Sequence, residues 1–143
     1  MEREPMYLFV YGTLRNDLRH DMYHVLARSA TFIADGRVRA RLYDLGDYPG
    51  MVLSSDPSDI TMGEVYELSA ERAQDVLKVL DEYEGLGPSD PAPHEYRRAV
   101  VQVALADGRV VPAWAYILTQ ENPKHPRIND SDYLTWRNQH RSA

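Results

Sequence analysis

No cysteine occurs among the 143 residues. That absence excludes a disulfide framework, a thiolate nucleophile, an iron–sulfur cluster and cysteine-ligated zinc, and leaves oxygen and nitrogen groups to carry any chemistry. Long hydrophobic runs are also missing: no segment approaches the ~18 consecutive apolar residues that a membrane helix needs. The opening Met1-Glu2-Arg3-Glu4-Pro5 is too acidic and polar for a secretory leader. Positive charge is scarce, with 16 Lys and Arg against 22 Asp and Glu and a formal net charge of −6. Such a balance repels a phosphate backbone unless basic residues segregate onto one face. Arg37, Arg39 and Arg41 do alternate along one predicted strand face, which reads as a solvated outer face. The chain is therefore expected to be cytoplasmic, a monomer or homodimer, with neither nucleic acid nor membrane as partner. A hydrophobic fraction of 43% and a charged fraction of 27% are ordinary for a globular protein. No repeat, low-complexity tract or linker divides the chain, so residues 1–143 are read as one domain.

Periodicity supplies the elements. Residues 7–11 form a short aromatic and β-branched run that Gly12 ends, the pattern of a buried strand entering a turn. Met22, Val25, Leu26 and Ala30 recur at helical spacing and predict a helix from about His20 to Ala30. Strands are predicted over 31–44 and 49–53, with Tyr48-Pro49-Gly50 between them, and over 62–68. Ser69 is placed to cap the next helix, whose apolar stripe is Ala73, Val76, Leu77, Leu80 and Tyr83, with Gly85 as its stop. Residues 85–93 hold three prolines and two glycines and read as a surface loop. Strands over 96–105 and 109–118 flank Asp107-Gly108, a hairpin signal. Pro112 makes the second of them an edge strand or bulges it. The tail offers Tyr133 and Trp136 as its apolar anchors and is expected to dock as one short helix, then fray. Six or so strands with two main helices predict an α+β domain whose sheet curls toward a barrel.

Among groups able to do chemistry, Glu84 stands out. It lies four residues beyond Leu80, on the apolar side of the predicted helix, and beside Asp81 and Glu82 where the helix dipole is negative. Burial, the dipole and neighbouring carboxylates all disfavour its anion and so raise its pKa toward the range useful for proton transfer. The alternative is that the helix ends a turn early and Glu84 is a solvated loop residue. His20 and His24 have metal-ligand spacing without the surrounding motif, and no metal site is expected. Thr13 and Ser69 lack a nucleophile-elbow context.

The corner Tyr11-Gly12-Thr13-Leu14, the run Leu80-Asp81-Glu82-Tyr83-Glu84-Gly85 and then Tyr96-Arg97-Arg98 occur in an order and spacing that resemble the γ-glutamylcyclotransferase, or AIG2-like, family. Tyr48-Pro49, Gly63-Glu64-Val65-Tyr66 and Ala115-Tyr116 extend the resemblance over about residues 6–118, with 119–143 as an extension. The resemblance implies a small mixed β-barrel with flanking helices. It also implies an enzyme without cofactor that converts a small γ-glutamyl compound to 5-oxoproline and a free amine or amino acid. Glu84 matches the family's acid/base, and positions 11–14 match its substrate loop. The short chain looks closest to the γ-glutamylamine type. Backbone amides of Gly12 to Arg15 could then hold the α-carboxylate or the oxyanion, with Tyr11 and Tyr116 as further donors or as packing residues. The rival reading is a non-catalytic module that keeps the barrel to bind a small metabolite.

Overall fold

The computed structural model describes residues 7–11, 30–45, 49–83, 96–119, 124–133, 135, 136 and 139. Its elements are β1 (Tyr7–Val10), β2 (Ala30–Asp44), β3 (Pro49–Leu53), β4 (Ile60–Leu68), α1 (Ala73–Tyr83), β5 (Tyr96–Leu105), β6 (Val110–Leu118) and β7 (Arg127–Ile128). Pairing runs β2-β4-β1-β6-β5 and returns from β5 to β2 at Gly36↔Leu105 and Arg37↔Ala104, which closes a five-strand barrel. The β1–β6 contact at Leu8↔Trp114 is parallel and the other pairings are antiparallel, so the barrel is mixed. Strands β3 and β7 are additions that pair β2 outside the ring. Of the six predicted strands five close the ring and β3 flanks it, while β7 lies in the tail, where no strand is predicted.

Alternation explains β2: Gly36, Val38, Ala40 and Leu42 are buried while Arg37 and Arg39 face solvent, as the arginine spacing predicted; Arg41, expected on the same solvated face, is half-buried beside Asp59. β1 is buried on both faces, with Phe9 and Tyr11 in the barrel interior and Leu8 and Val10 in a second cluster beneath α1. Gly63 pairs with Gly36, and a Cβ on Gly63 would collide with the Val10 carbonyl and the Phe9 ring. The β5–β6 hairpin closes on Ala106–Gly108. The Gly108 N–H donates to the Leu105 carbonyl at 3.0 Å and the Leu105 N–H to the Arg109 carbonyl at 2.8 Å. Gly108 takes φ 92°, the left-handed residue that such three-residue loops require.

Several sequence expectations are corrected. Pro112 neither bulges β6 nor marks an edge, because β6 lies between β5 and β1 and the register runs unbroken through Gln102↔Pro112. Among the described residues β1 meets β6 at Trp114, so the missing N–H of Pro112 removes no bond to β1. The strand predicted over 49–53 is β3, so Pro49 and Gly50, also read as punctuation, pair opposite Asp44 and Tyr43. Ala30 opens β2 opposite Leu68 instead of ending a helix, since pairing outweighs its helix propensity. The rest of that helix, Tyr48 and the 85–93 loop lie outside the described residues. Ser69 offers its carbonyl to the Arg72 N–H at 3.0 Å in a turn, and the helix starts only at Ala73. The stripe Ala73, Val76, Leu77 and Leu80 is buried as expected, each large apolar member contributing about 1.5–3 kcal/mol. No helix among the described residues is long and apolar enough to cross a membrane.

The tail is more deeply integrated than its composition suggests. Tyr133 is 0% exposed inside the barrel cluster and stacks on Trp136 at 6.1 Å between ring centroids. Ile128, a third anchor that a lone apolar residue without periodicity did not reveal, is buried and pairs with Leu42. Residues 133, 135 and 136 are helical, in keeping with the expected short helix. Asp59 pins this segment from the β3–β4 connection: it accepts the Ser54 hydroxyl at 2.7 Å and the guanidinium of Arg127, with Arg41 Nε at 4.0 Å. The Ser54 bond, with Arg127 behind it, holds the Asp59 carboxyl below its ordinary 3.8.

Two outcomes follow from the tail. Tyr133→Ala, read by chemical denaturation, should cost about 3–5 kcal/mol, the range for emptying a buried aromatic site. A folded-state pKa below the unfolded one contributes stability that is present above 3.8 and is lost as pH falls through the folded value. The melting temperature of Asp59→Asn should therefore lie below that of the parent at neutral pH and converge with it in acid.

Candidate active site

One hydrogen-bonded cluster gathers the ends of β1 and α1. Tyr11, the residue after β1, is 7% exposed, and its hydroxyl donates to the Tyr116 carbonyl on β6 at 2.6 Å. The same oxygen accepts the Met51 N–H of β3 at 3.2 Å. The Tyr116 hydroxyl in turn donates to Asp81 Oδ1 in the last turn of α1 at 2.6 Å. Arg98, opposite Tyr116 in the β5–β6 ladder, donates from Nε to Asp81 Oδ1 at 2.9 Å and from Nη2 to Oδ2 at 3.4 Å. Its guanidinium lies 4.3 Å from the centroid of the Trp114 ring. Strand β3 seals the same end: Tyr96 donates its hydroxyl to the Pro49 carbonyl at 2.6 Å, and the Gly50 backbone rests on Leu118, leaving no room for a Cβ.

Of the residues expected to form a site, Tyr11 and Tyr116 are therefore joined to each other directly. Glu84, Gly12, Thr13, Leu14 and Arg15 lie outside the described residues. The chain enters 12–15 one peptide bond after Tyr11 and enters 84 one peptide bond after Tyr83, the last residue of α1. Both tyrosine hydroxyls are engaged within the protein, which favours the positional reading of these side chains.

Two participants escaped sequence reasoning. Arg98 was read only as part of a motif, yet it supplies the cation that the last turn of α1 lacks. Asp81 is consequently ion-paired, and Glu82 is the exposed acid of that turn. Glu64 is a buried carboxylate, 8% exposed, opposite Val10 and accepting the Tyr66 hydroxyl at 3.1 Å. The signal for it was an acid at an inward position of an apolar strand. No group of three or more potential metal ligands occurs among the described residues.

A family model described as gamma-glutamyl cyclotransferase, AIG2-like, matches residues 8–137. The chain belongs to this family. A Methanocaldococcus jannaschii protein provisionally named a gamma-glutamylcyclotransferase is 30% identical over 111 residues, 77% of this chain and 82% of the relative. Among solved structures, a mouse AIG2-like protein superposes with a TM-score of 0.68 at 22% identity, over 92% of this chain and 89% of that one. YkqA of Bacillus subtilis gives the same TM-score of 0.68 at 23% identity, and this chain spans 42% of that longer one. The family match runs well past residue 118, consistent with a tail that enters the core.

Tyr11→Phe tests the cluster. Removing the hydroxyl deprives a buried carbonyl and a buried amide of a partner, so stability should fall by about 1–3 kcal/mol while KM is kept. A raised KM at parental stability would instead assign the hydroxyl to the substrate.

Proposed function

We propose that this member of the family is a cyclotransferase that converts a γ-glutamyl amine to 5-oxoproline and the free amine, with Glu84 as acid and base. The observation that carries the reading is the linkage of Tyr11 to the end of α1 through Tyr116 and Asp81. That linkage joins Tyr11, after which the chain passes to 12–15, to the last turn of α1, after which it passes to 84, and so supports the reading. In the reaction the substrate's α-nitrogen attacks its own γ-carbonyl carbon, and the bond from that carbon to the leaving nitrogen breaks. Because attack is intramolecular, no enzyme nucleophile is required. The α-ammonium must lose a proton and the leaving nitrogen must gain one, so a single carboxylate passes the proton from one to the other and is regenerated. Backbone amides of Gly12 to Arg15 are suited to the α-carboxylate or the transient oxyanion. No redox step or activated group enters the balance, and none of these steps calls for a cofactor. Preference for an amine over an amino acid as leaving group rests on the resemblance of the sequence alone.

A panel of γ-glutamylamines and γ-glutamyl amino acids, assayed for 5-oxoproline, tests class and leaving group together. Release from the amines at the higher kcat/KM is expected. Saturable binding without release from any of them would make the chain a binding module. Glu84→Gln should lower kcat by roughly 10² to 10⁴. Its melting temperature should stay level or rise, because a carboxylate beside Glu82 and the negative helix end is relieved. Glu82→Gln, at an exposed position, should change the rate far less.

A further inference from the structure

The last turn of α1 contains no basic residue, and it carries Asp81 where the helix dipole favours a cation. Local preference does not account for an acid here. Its partners do. Asp81 Oδ1 accepts from both Tyr116 at 2.6 Å and Arg98 Nε at 2.9 Å, and Oδ2 faces Arg98 Nη2 at 3.4 Å. The planar fork of Arg98 fixes the carboxylate plane, and the Trp114 face, 4.3 Å away, fixes the fork. Asp81 and Arg98 remain 25% and 24% exposed, so solvent screens the pair and its stabilising value is modest. What such a bidentate, stacked arrangement supplies is direction.

Helix ends fray unless their last turn is held. Glu84 is the third residue after Asp81 and the first after α1. We propose that Asp81, Arg98 and Tyr116 are positioning residues: they clasp to β5 and β6 the last turn of α1, from which the chain passes to Glu84. The proposal rests on the reading of Glu84 as acid and base. It assigns Tyr116 to holding the helix rather than touching the substrate. Asp81 changes sides as well, from bystander in a crowded acidic turn to anchor.

The test has two arms. In the first, amide hydrogen exchange compares residues 80–83 with the middle of α1 in the parent and in Asp81→Asn, Arg98→Ala and Tyr116→Phe. Faster exchange confined to 80–83, by roughly tenfold or more, is expected; uniform or unchanged exchange overturns the clasp. In the second, kcat and KM are measured with γ-glutamyl-n-butylamine as probe. Each variant should lose roughly 10- to 100-fold in kcat, the penalty of a misplaced reacting group, with KM held within about threefold. Arg98→Lys, which keeps the charge without the fork, should recover only part of the Arg98→Ala loss. Tyr116→Phe and Arg98→Lys preserve ring and charge, so they report even if Arg98→Ala fails to fold. In a Glu84→Gln background the same substitutions should cause no further loss, because they act through Glu84. Full additivity there, parental kcat with a lowered melting temperature, or a rise in KM confined to Tyr116→Phe would each overturn the proposal. A Glu84→Gln protein of parental rate would instead remove the reading of Glu84, and the exchange arm would still decide whether the clasp orders the turn.

Discussion

Tyr116 is bonded at both ends, and the candidate site depends on that. Its carbonyl receives the Tyr11 hydroxyl and its own hydroxyl reaches Asp81, so one residue of β6 ties the exit of β1 to the exit of α1. Neither bond is local. They cross 105 and 35 residues of sequence and exist only because β6 lies beside β1 in the barrel. A hydroxyl donating to a carboxylate is among the stronger neutral-to-ion hydrogen bonds, and a buried tyrosine anchored through its carbonyl cannot turn away from it cheaply.

The barrel that brings these strands together is closed through β2. Its 15 residues span about 50 Å at the usual rise, enough for one strand to pair with β4, β5, β3 and β7 along its length. Closure leaves the ring no open edge, which matters for a chain whose strands are rich in valine, leucine and tyrosine. The tail completes the interior: Tyr133 and Ile128 join the barrel cluster, and Asp59 binds Arg127 to the β3–β4 connection. The segment that looks most dispensable in composition therefore contributes to the same core as Phe9 and Val103.

Arg98 is drawn to Asp81 and Trp114 instead of facing open solvent. The last turn of α1 thus carries Asp81 as a paired acid beside the exposed Glu82.

By itself the sequence determined the element list, because period-two and period-3.6 patterns are local: β1, β2, β3, β5, β6 and the stripe of α1 all lie within a residue or two of where those patterns end. It also determined the family, since Tyr11-Gly12-Thr13-Leu14 and Glu84-Gly85 are short motifs whose meaning lies in spacing. It misjudged Pro112, because edge or centre is a property of neighbours, and it missed Ile128, because one apolar residue has no period. It read Asp81 and Arg98 as an unpaired acid and a motif letter, since an ion pair between a helix and a strand 17 residues on has no signature along the chain. Tertiary structure alone decided that Asp81 is paired, that Tyr11 and Tyr116 spend their hydroxyls on the protein, and that the tail is core. Each depends on which surfaces meet, and barrel closure fixes that only after every strand has found its partner.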